Sequence, residues 1–173
     1  MSRFALLVGA LAVLALASGG VEGRAVRAER IGVAGVSIEL PPGWHAMPRS
    51  AQPSRNDPVT RIVASSGPIW FGRGCNDLDY AFPRTAVAIV LVEWVQLPPG
   101  TRFAPRPRRF TATTLPVRPP PALECFYGPG GGIQFSASGR RFAAYVLLGR
   151  RAPASLAARA RAVLDTLKVR KQA

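Results

Sequence analysis

Only one stretch of the chain, Pro153 to Leu167, is free of glycine and repeats apolar residues at helical spacing. Leu156, Ala160, Val163, Leu164 and Leu167 fall in a stripe about 100° wide at 3.6 residues per turn, while Arg161, Asp165 and Lys168 lie outside it. Pro153 suits a first helical position, where its missing N–H costs nothing. The spacing therefore predicts one amphipathic helix near the end of the chain, with one face docked on a sheet and the other in water.

The chain before it reads as short strands cut by proline and glycine. Val36-Ser37-Ile38-Glu39-Leu40 alternates apolar and polar residues, as on a strand with one buried face, and Pro41-Pro42-Gly43 stops it. Trp44 is expected to fold back onto the sheet. Thr60 to Ser65 is a second strand, with Ile62 and Ala64 on one face and Arg61 and Val63 on the other. Pro68 to Pro83 reads as a long ordered loop around Cys75. Thr85 to Leu97 is almost continuously Val, Ile, Leu and Ala, the pattern of a central strand covered on both faces. Residues 101–121 are rich in Pro and Arg and read as a surface excursion, with an edge strand at Phe110 to Leu115. Short strands are expected at Leu123 to Tyr127 and Ile133 to Ala137, separated by a turn at Gly130-Gly131-Gly132. Ser138-Gly139 is a hairpin turn into a last apolar strand, Phe142 to Leu148.

The first residues read as an address. Arg3 supplies a positive charge, Phe4 to Ala17 is an unbroken apolar run of 14 residues, and Ala15-Leu16-Ala17 is a small-x-small cleavage pattern. A membrane span needs about 20 residues, so a removed signal over 1–17 is expected, with no transmembrane span in the mature chain. Residues 18–34, rich in Gly, Ala and Arg, read as a linker, and 35–170 as a single domain. Export sets the expectation for Cys75 and Cys125, the two cysteines of the chain: a disulfide. Reactive thiols are the alternative, without a Cys-x-x-Cys spacing to support them.

The formal charge is +14, or +13 once Arg3 is removed. Two readings compete for it. Of the 23 basic residues only Lys168 and Lys171 are lysines, as coding bias in a GC-rich genome would give. Alternatively, the charge serves adhesion to an anionic partner. The stretch that suits adhesion best is Arg102-Phe103-Ala104-Pro105-Arg106-Pro107-Arg108-Arg109-Phe110. Arg102, Arg106, Arg108 and Arg109 would hold anionic groups while Phe103 or Phe110 offers a ring for stacking; a solvated Pro-rich loop is the competing view. Export disfavours nucleic acid as the partner and leaves an anionic cell-surface polymer, a lipid headgroup or an extracytoplasmic protein. Arg140-Arg141 and Arg150-Arg151 flank the last strand and either add to a basic rim or keep strand ends soluble.

Signals of catalysis are few, so no catalytic residue, metal or cofactor is expected. His45 is the single histidine, which removes a multi-His metal site. No Gly-x-Ser-x-Gly elbow occurs, and Gly128-Pro129-Gly130-Gly131-Gly132 lacks the Lys-Ser/Thr of a phosphate loop. Asn76, Asp77 and Asp79 fit a local turn better than a calcium loop. Glu39, Glu93 and Glu124 sit in separate strands, where arginine partners are the plain reading and a carboxylate pair the remaining enzymatic one.

The string Val36-Ser37-Ile38-Glu39-Leu40-Pro41-Pro42-Gly43-Trp44 resembles the strand and Leu-Pro-x-Gly-Trp opening of PsbP-like exported proteins. The ending, Phe142 to Leu148, Gly149 and a helix closing on Val163-Leu164-Asp165-Thr166-Leu167-Lys168-Val169, is similar to theirs. The resemblance covers about 45 residues at the two ends; the Pro-rich middle and the Cys pair depart from the pattern. It implies an α+β domain, an antiparallel sheet packed against the C-terminal helix as an α/β sandwich, with a non-catalytic binding or assembly role.

Overall fold

The computed structural model describes residues 27–52, 57–72, 80–119, 126 and 128–171. In chain order its strands are β1 (Glu29–Val33), β2 (Val36–Leu40), β3 (His45–Ala46), β4 (Val59–Ser65), β5 (Trp70–Phe71), β6 (Tyr80–Ala81), β7 (Val87–Trp94), β8 (Gly130–Ala137) and β9 (Arg140–Leu148). Helix α1 (Ser155–Asp165) and β10 (Lys168–Val169) complete the order. Every pairing between these strands is antiparallel. The domain is α+β.

The main sheet runs β3-β4-β7-β9-β8, and β1-β2-β10 form a second, three-stranded sheet. Strand β7 lies at the centre, and its side chains divide by parity. Val87, Ile89 and Leu91 face one core together with Ile62, Ala64, Phe135, Phe142, Ala144 and Val146. Ala88, Val90 and Val92 face the other with Val63, Ala143 and Leu147. The continuous apolar run follows from this double burial, since neither face can carry a polar residue cheaply.

The first core is closed by α1 and the three-stranded sheet. Ala160, Val163, Leu164 and Leu167 from the helix region meet Val36, Ile38 and Leu40 of β2 over the sheet. Each Val, Leu or Ile among them, fully buried, contributes about 1.5–3 kcal/mol. Phe110, Phe135 and Phe142 form a ring ladder through this layer, with centroids 5.7 and 5.6 Å apart. Trp44 folds back into the same core, where it is buried, after Gly43 turns the chain at φ +79°. The second core is smaller. Met47 and Tyr80 close it, with half-buried Phe71, Phe82 and Phe126 around them. Phe82 stacks on Phe126 at 5.7 Å, and Phe71 meets Tyr80 edge-on at 5.9 Å.

Four local expectations need correction. Gly130-Gly131-Gly132 is not a turn but the start of β8, paired with Leu147, Val146 and Tyr145. A Cβ on Gly131 would stand 1.8 Å from the Pro116 carbonyl oxygen, and one on Gly132 would stand 2.8 Å from the Tyr145 ring. The glycines are there so that neighbours can lie directly on the strand. Residues 29–33, read as part of a linker, form β1 along the edge of β2; its mostly exposed residues give no core periodicity to detect. No strand forms at Phe110 to Leu115. Leu115 N–H donates to the Thr111 carbonyl at 2.9 Å, and the Thr111 and Thr114 hydroxyls bond each other's backbone N–H groups, a local alternative to a ladder. Finally, the register slips between Thr60 and Ile62. This bulge brings Arg61 to Glu93, on the face of Leu91, instead of leaving it beside Val63.

The excursion of residues 101–119 does lie outside the sheet, and it covers the free edge of β8. Pro105 bridges Ser136 and Arg118 bridges Gly130. The Arg106, Ser136, Arg118 and Gly130 amides all donate across this seam, at 2.7–3.3 Å. An edge so capped is closed to further strand pairing. The expected strand Leu123 to Tyr127, Cys75 and Cys125 with their expected disulfide, and the 1–17 signal lie outside the described residues, apart from Phe126.

Candidate functional site

The Arg-rich segment is divided by the fold into structural and surface parts. Arg106 is structural. Its Nη1 donates to the Leu167 carbonyl at 2.7 Å and its Nη2 to those of Leu164 and Asp165 at 3.3 and 3.0 Å. Leu164 and Asp165 close the helix, where carbonyls lack the usual partner four residues on and a cation meets the negative end of the dipole; Leu167 lies just beyond it, and the Leu164 carbonyl also accepts the Leu167 N–H at 3.1 Å. The guanidinium further lies 5.6 Å from the centroid of Phe110, whose ring is buried in the main core. Burial lowers the Arg106 pKa from its ordinary value, with Asp165 acting in the opposite direction. The Asp165 carboxylate also accepts the Phe110 N–H at 2.7 Å. Arg106 is therefore half-buried and committed to the fold, and Phe110 is buried.

The other members stay accessible. Arg108 and Arg109 are exposed. Arg109 stands 3.5 Å from Asp165 with its side chain 80% exposed, a pair of little energetic weight. Arg102 is exposed and Phe103 half-buried, and both line a cleft of about 350 Å3 with Ser136, Ser138, Gly139 and Arg141.

The two arginine pairs at the ends of β9 also divide. Arg140 points into the protein and is buried. With Arg61 it clamps Glu93: Arg140 donates to both carboxylate oxygens at 2.7 and 2.5 Å, and Arg61 Nε donates to Oε2 at 2.5 Å. Burial opposes ionisation of Glu93, but the hydrogen bonds and charges of Arg140 and Arg61 outweigh it and hold the carboxyl below its ordinary pKa. Arg140 Nη1 also donates to the carbonyls of Ala34 and Arg170 at 2.9 and 3.3 Å. One side chain thus ties the β1–β2 turn and the end of β10 to the main sheet. Its neighbour Arg141 is exposed, across from Trp94 on β7. Arg150 and Arg151 lie at the opposite end of the same strand, both exposed.

Carboxylates are thereby largely committed. Glu93 is enclosed by its two arginines, and Glu39 pairs with Arg30 on the three-stranded sheet. Asn76, Asp77, Asp79 and Glu124 lie outside the described residues. Among the described residues no three His, Cys, Asp or Glu side chains come together as a metal-binding group. His45 is exposed on the edge strand β3.

Sequence reasoning missed the juxtaposition of Arg102 with Arg141, 39 positions apart in the chain. The bridge from Pro105 to Ser136 and the β8–β9 hairpin create it; the Ser138-Gly139 turn was legible, but the bridge carries no signal in the segment itself. By contrast, a lone Glu in the apolar run of β7 was a usable sign of a buried cation opposite. No helix among the described residues is long and apolar enough to cross a membrane. Comparison with family models, curated proteins and solved structures finds no match to this chain.

Proposed function

We propose that the protein is an exported, non-enzymatic binding domain that attaches to anionic material of the cell envelope through surface arginines. The observation that carries this reading is the sorting of its cations. Arg30, Arg61, Arg106 and Arg140 are engaged by carboxylates or carbonyls, whereas Arg102, Arg108 and Arg141 are exposed and meet no carboxylate among the described residues. A formal charge of +14 thus expresses itself as outward guanidiniums, which favour planar, forked contacts to phosphate or carboxylate. The PsbP-like sandwich belongs to the same proposal. It rests on the strand, Pro-Pro-Gly-Trp turn and closing strand-helix pattern, with the sheet-and-helix architecture compatible.

Export remains part of the proposal, resting on the 1–17 pattern. The test is sedimentation of the mature protein with vesicles of equimolar phosphatidylglycerol and phosphatidylcholine, and with polyglycerol phosphate, across a salt series. Adsorption should weaken with salt, and reversing Arg102, Arg108 and Arg109 to Glu should abolish it. Adsorption that survives the triple reversal refutes the reading.

A further inference from the structure

We infer that the cleft between Arg102 and Arg141 is a discrete site for a phosphomonoester group, such as the terminal phosphate of an anionic polymer. The inference rests on the proposed binding role and names where and what the protein binds. The cleft holds about 350 Å3 between the start of the excursion, Thr101 to Phe103, and the β8–β9 hairpin, Ser136 to Arg141.

Its donors are sorted by the fold. The Ser136 hydroxyl is committed to the carbonyls of Phe103 and Ala104, both at 3.3 Å, and the Ser138 hydroxyl to that of Val169 at 2.9 Å. Among the side chains lining the space, the two guanidiniums and the Thr101 hydroxyl are left as donors. Neither guanidinium meets a carboxylate among the described residues, and Glu93, next to the Trp94 that lies across from Arg141, is enclosed by Arg61 and Arg140. Two planar forks entering one cleft from different chain segments suit a tetrahedral anion, which offers oxygen pairs in more than one plane; a single carboxylate presents one pair in one plane.

The walls fit the rest of such a polymer. Gly139, at φ +76°, puts no side chain at the hairpin tip, and no atom lies within 4 Å of where a Cβ would stand. Half-buried Phe103 gives an apolar wall for the carbons next to the phosphate. The backbone is fixed too. Ser136 N–H donates to Ala104 at 2.7 Å and Arg106 N–H to Ser136 at 2.9 Å, so the two sides of the cleft are hydrogen-bonded to each other. A site whose frame is already set loses less on binding than a loop that must order.

The experiment is titration of the mature protein with glycerol 3-phosphate, followed by the arginine Nε–Hε NMR signals, with acetate as the carboxylate control. Saturable shifts should appear with glycerol 3-phosphate and be far weaker with acetate. Arg102→Ala and Arg141→Ala should each weaken binding by about tenfold or more, the usual effect of losing one charge-assisted contact. Arg151→Glu, exposed at the opposite end of β9, should leave the small-molecule affinity within about twofold, since screening by water and salt mutes remote surface charge. Adsorption to vesicles without saturable glycerol 3-phosphate binding would overturn the cleft and leave the surface reading standing. Saturable binding without adsorption would overturn the surface reading and keep the cleft. Equal response to acetate would reject phosphate as the ligand.

Discussion

Replacing Glu93 by Gln keeps the side-chain shape and removes the one negative charge between two buried guanidiniums. The structure sets the size of the effect. The carboxylate accepts three hydrogen bonds, two at Oε2 and one at Oε1. However the amide turns, its NH2 meets at least one guanidinium donor head-on, so at least one bond is lost outright. The rest become neutral on the acceptor side. Charge-assisted bonds contribute about 1.5–3 kcal/mol each and neutral ones about half that. Losing one and halving two gives about 4 kcal/mol. Breaking a buried ion pair by removing one partner independently suggests about 3–5 kcal/mol. For a domain of this size that corresponds to a drop in melting temperature of roughly 10 °C. Urea unfolding at pH 7 reads it as a shift in midpoint at constant slope. Arg61→Met should cost less, because Arg140 still holds both oxygens. A Glu93→Gln change below about 1 kcal/mol would refute the view that this carboxylate is the counter-charge holding the end of the sheet together.

The same group sets an acid limit. Glu93 has its folded pKa depressed, so its stabilisation is fully present above the unfolded value of about 4.5 and is lost as pH falls through the folded value. Midpoints should therefore be flat near neutrality and fall below about pH 4.5, and the Glu93→Gln variant should show a shallower fall. Arg106→Gln removes the cation from the α1 C-terminus and should cost about 1–3 kcal/mol in urea unfolding; vesicle adsorption by the folded fraction should be unchanged, which a direct binding role for Arg106 would not allow. Gly131→Ala places a methyl against the Pro116 carbonyl. Overpacking of this kind costs about 1–3 kcal/mol, and amide exchange at Arg118 and Gly130 should quicken as the covered edge loosens.

The parts of the fold set by periodicity were legible. Val36 to Leu40, the central run within Thr85 to Leu97, the Ser138-Gly139 turn and the helix within Pro153 to Leu167 all carry their burial pattern in the chain. What stayed hidden depends on contact partners distant in sequence. Strand β1 is mostly exposed and gains its conformation from pairing with β2, not from a buried face of its own. The glycines of β8 look like a turn because glycine there answers close approach by Pro116 and Tyr145, which only the tertiary structure supplies. The bulge at Arg61 reversed a face because a one-residue slip inverts alternation. At the site, composition marked the arginines but not their fates. Arg106 and Arg140 turn inward while Arg102 and Arg141 turn outward, and four identical side chains carry no local sign of that difference.

Intact-mass measurement of the protein recovered from its own host tests the central proposal most directly, because proposed export underlies both the expected disulfide and the proposed anionic partner. The account predicts a chain starting at Ser18, two hydrogens lighter than its dithiol form, with Cys75 and Cys125 resistant to alkylation until reduced. A chain retaining Met1 to Ala17, found inside the cell with both thiols alkylated at once, would contradict it.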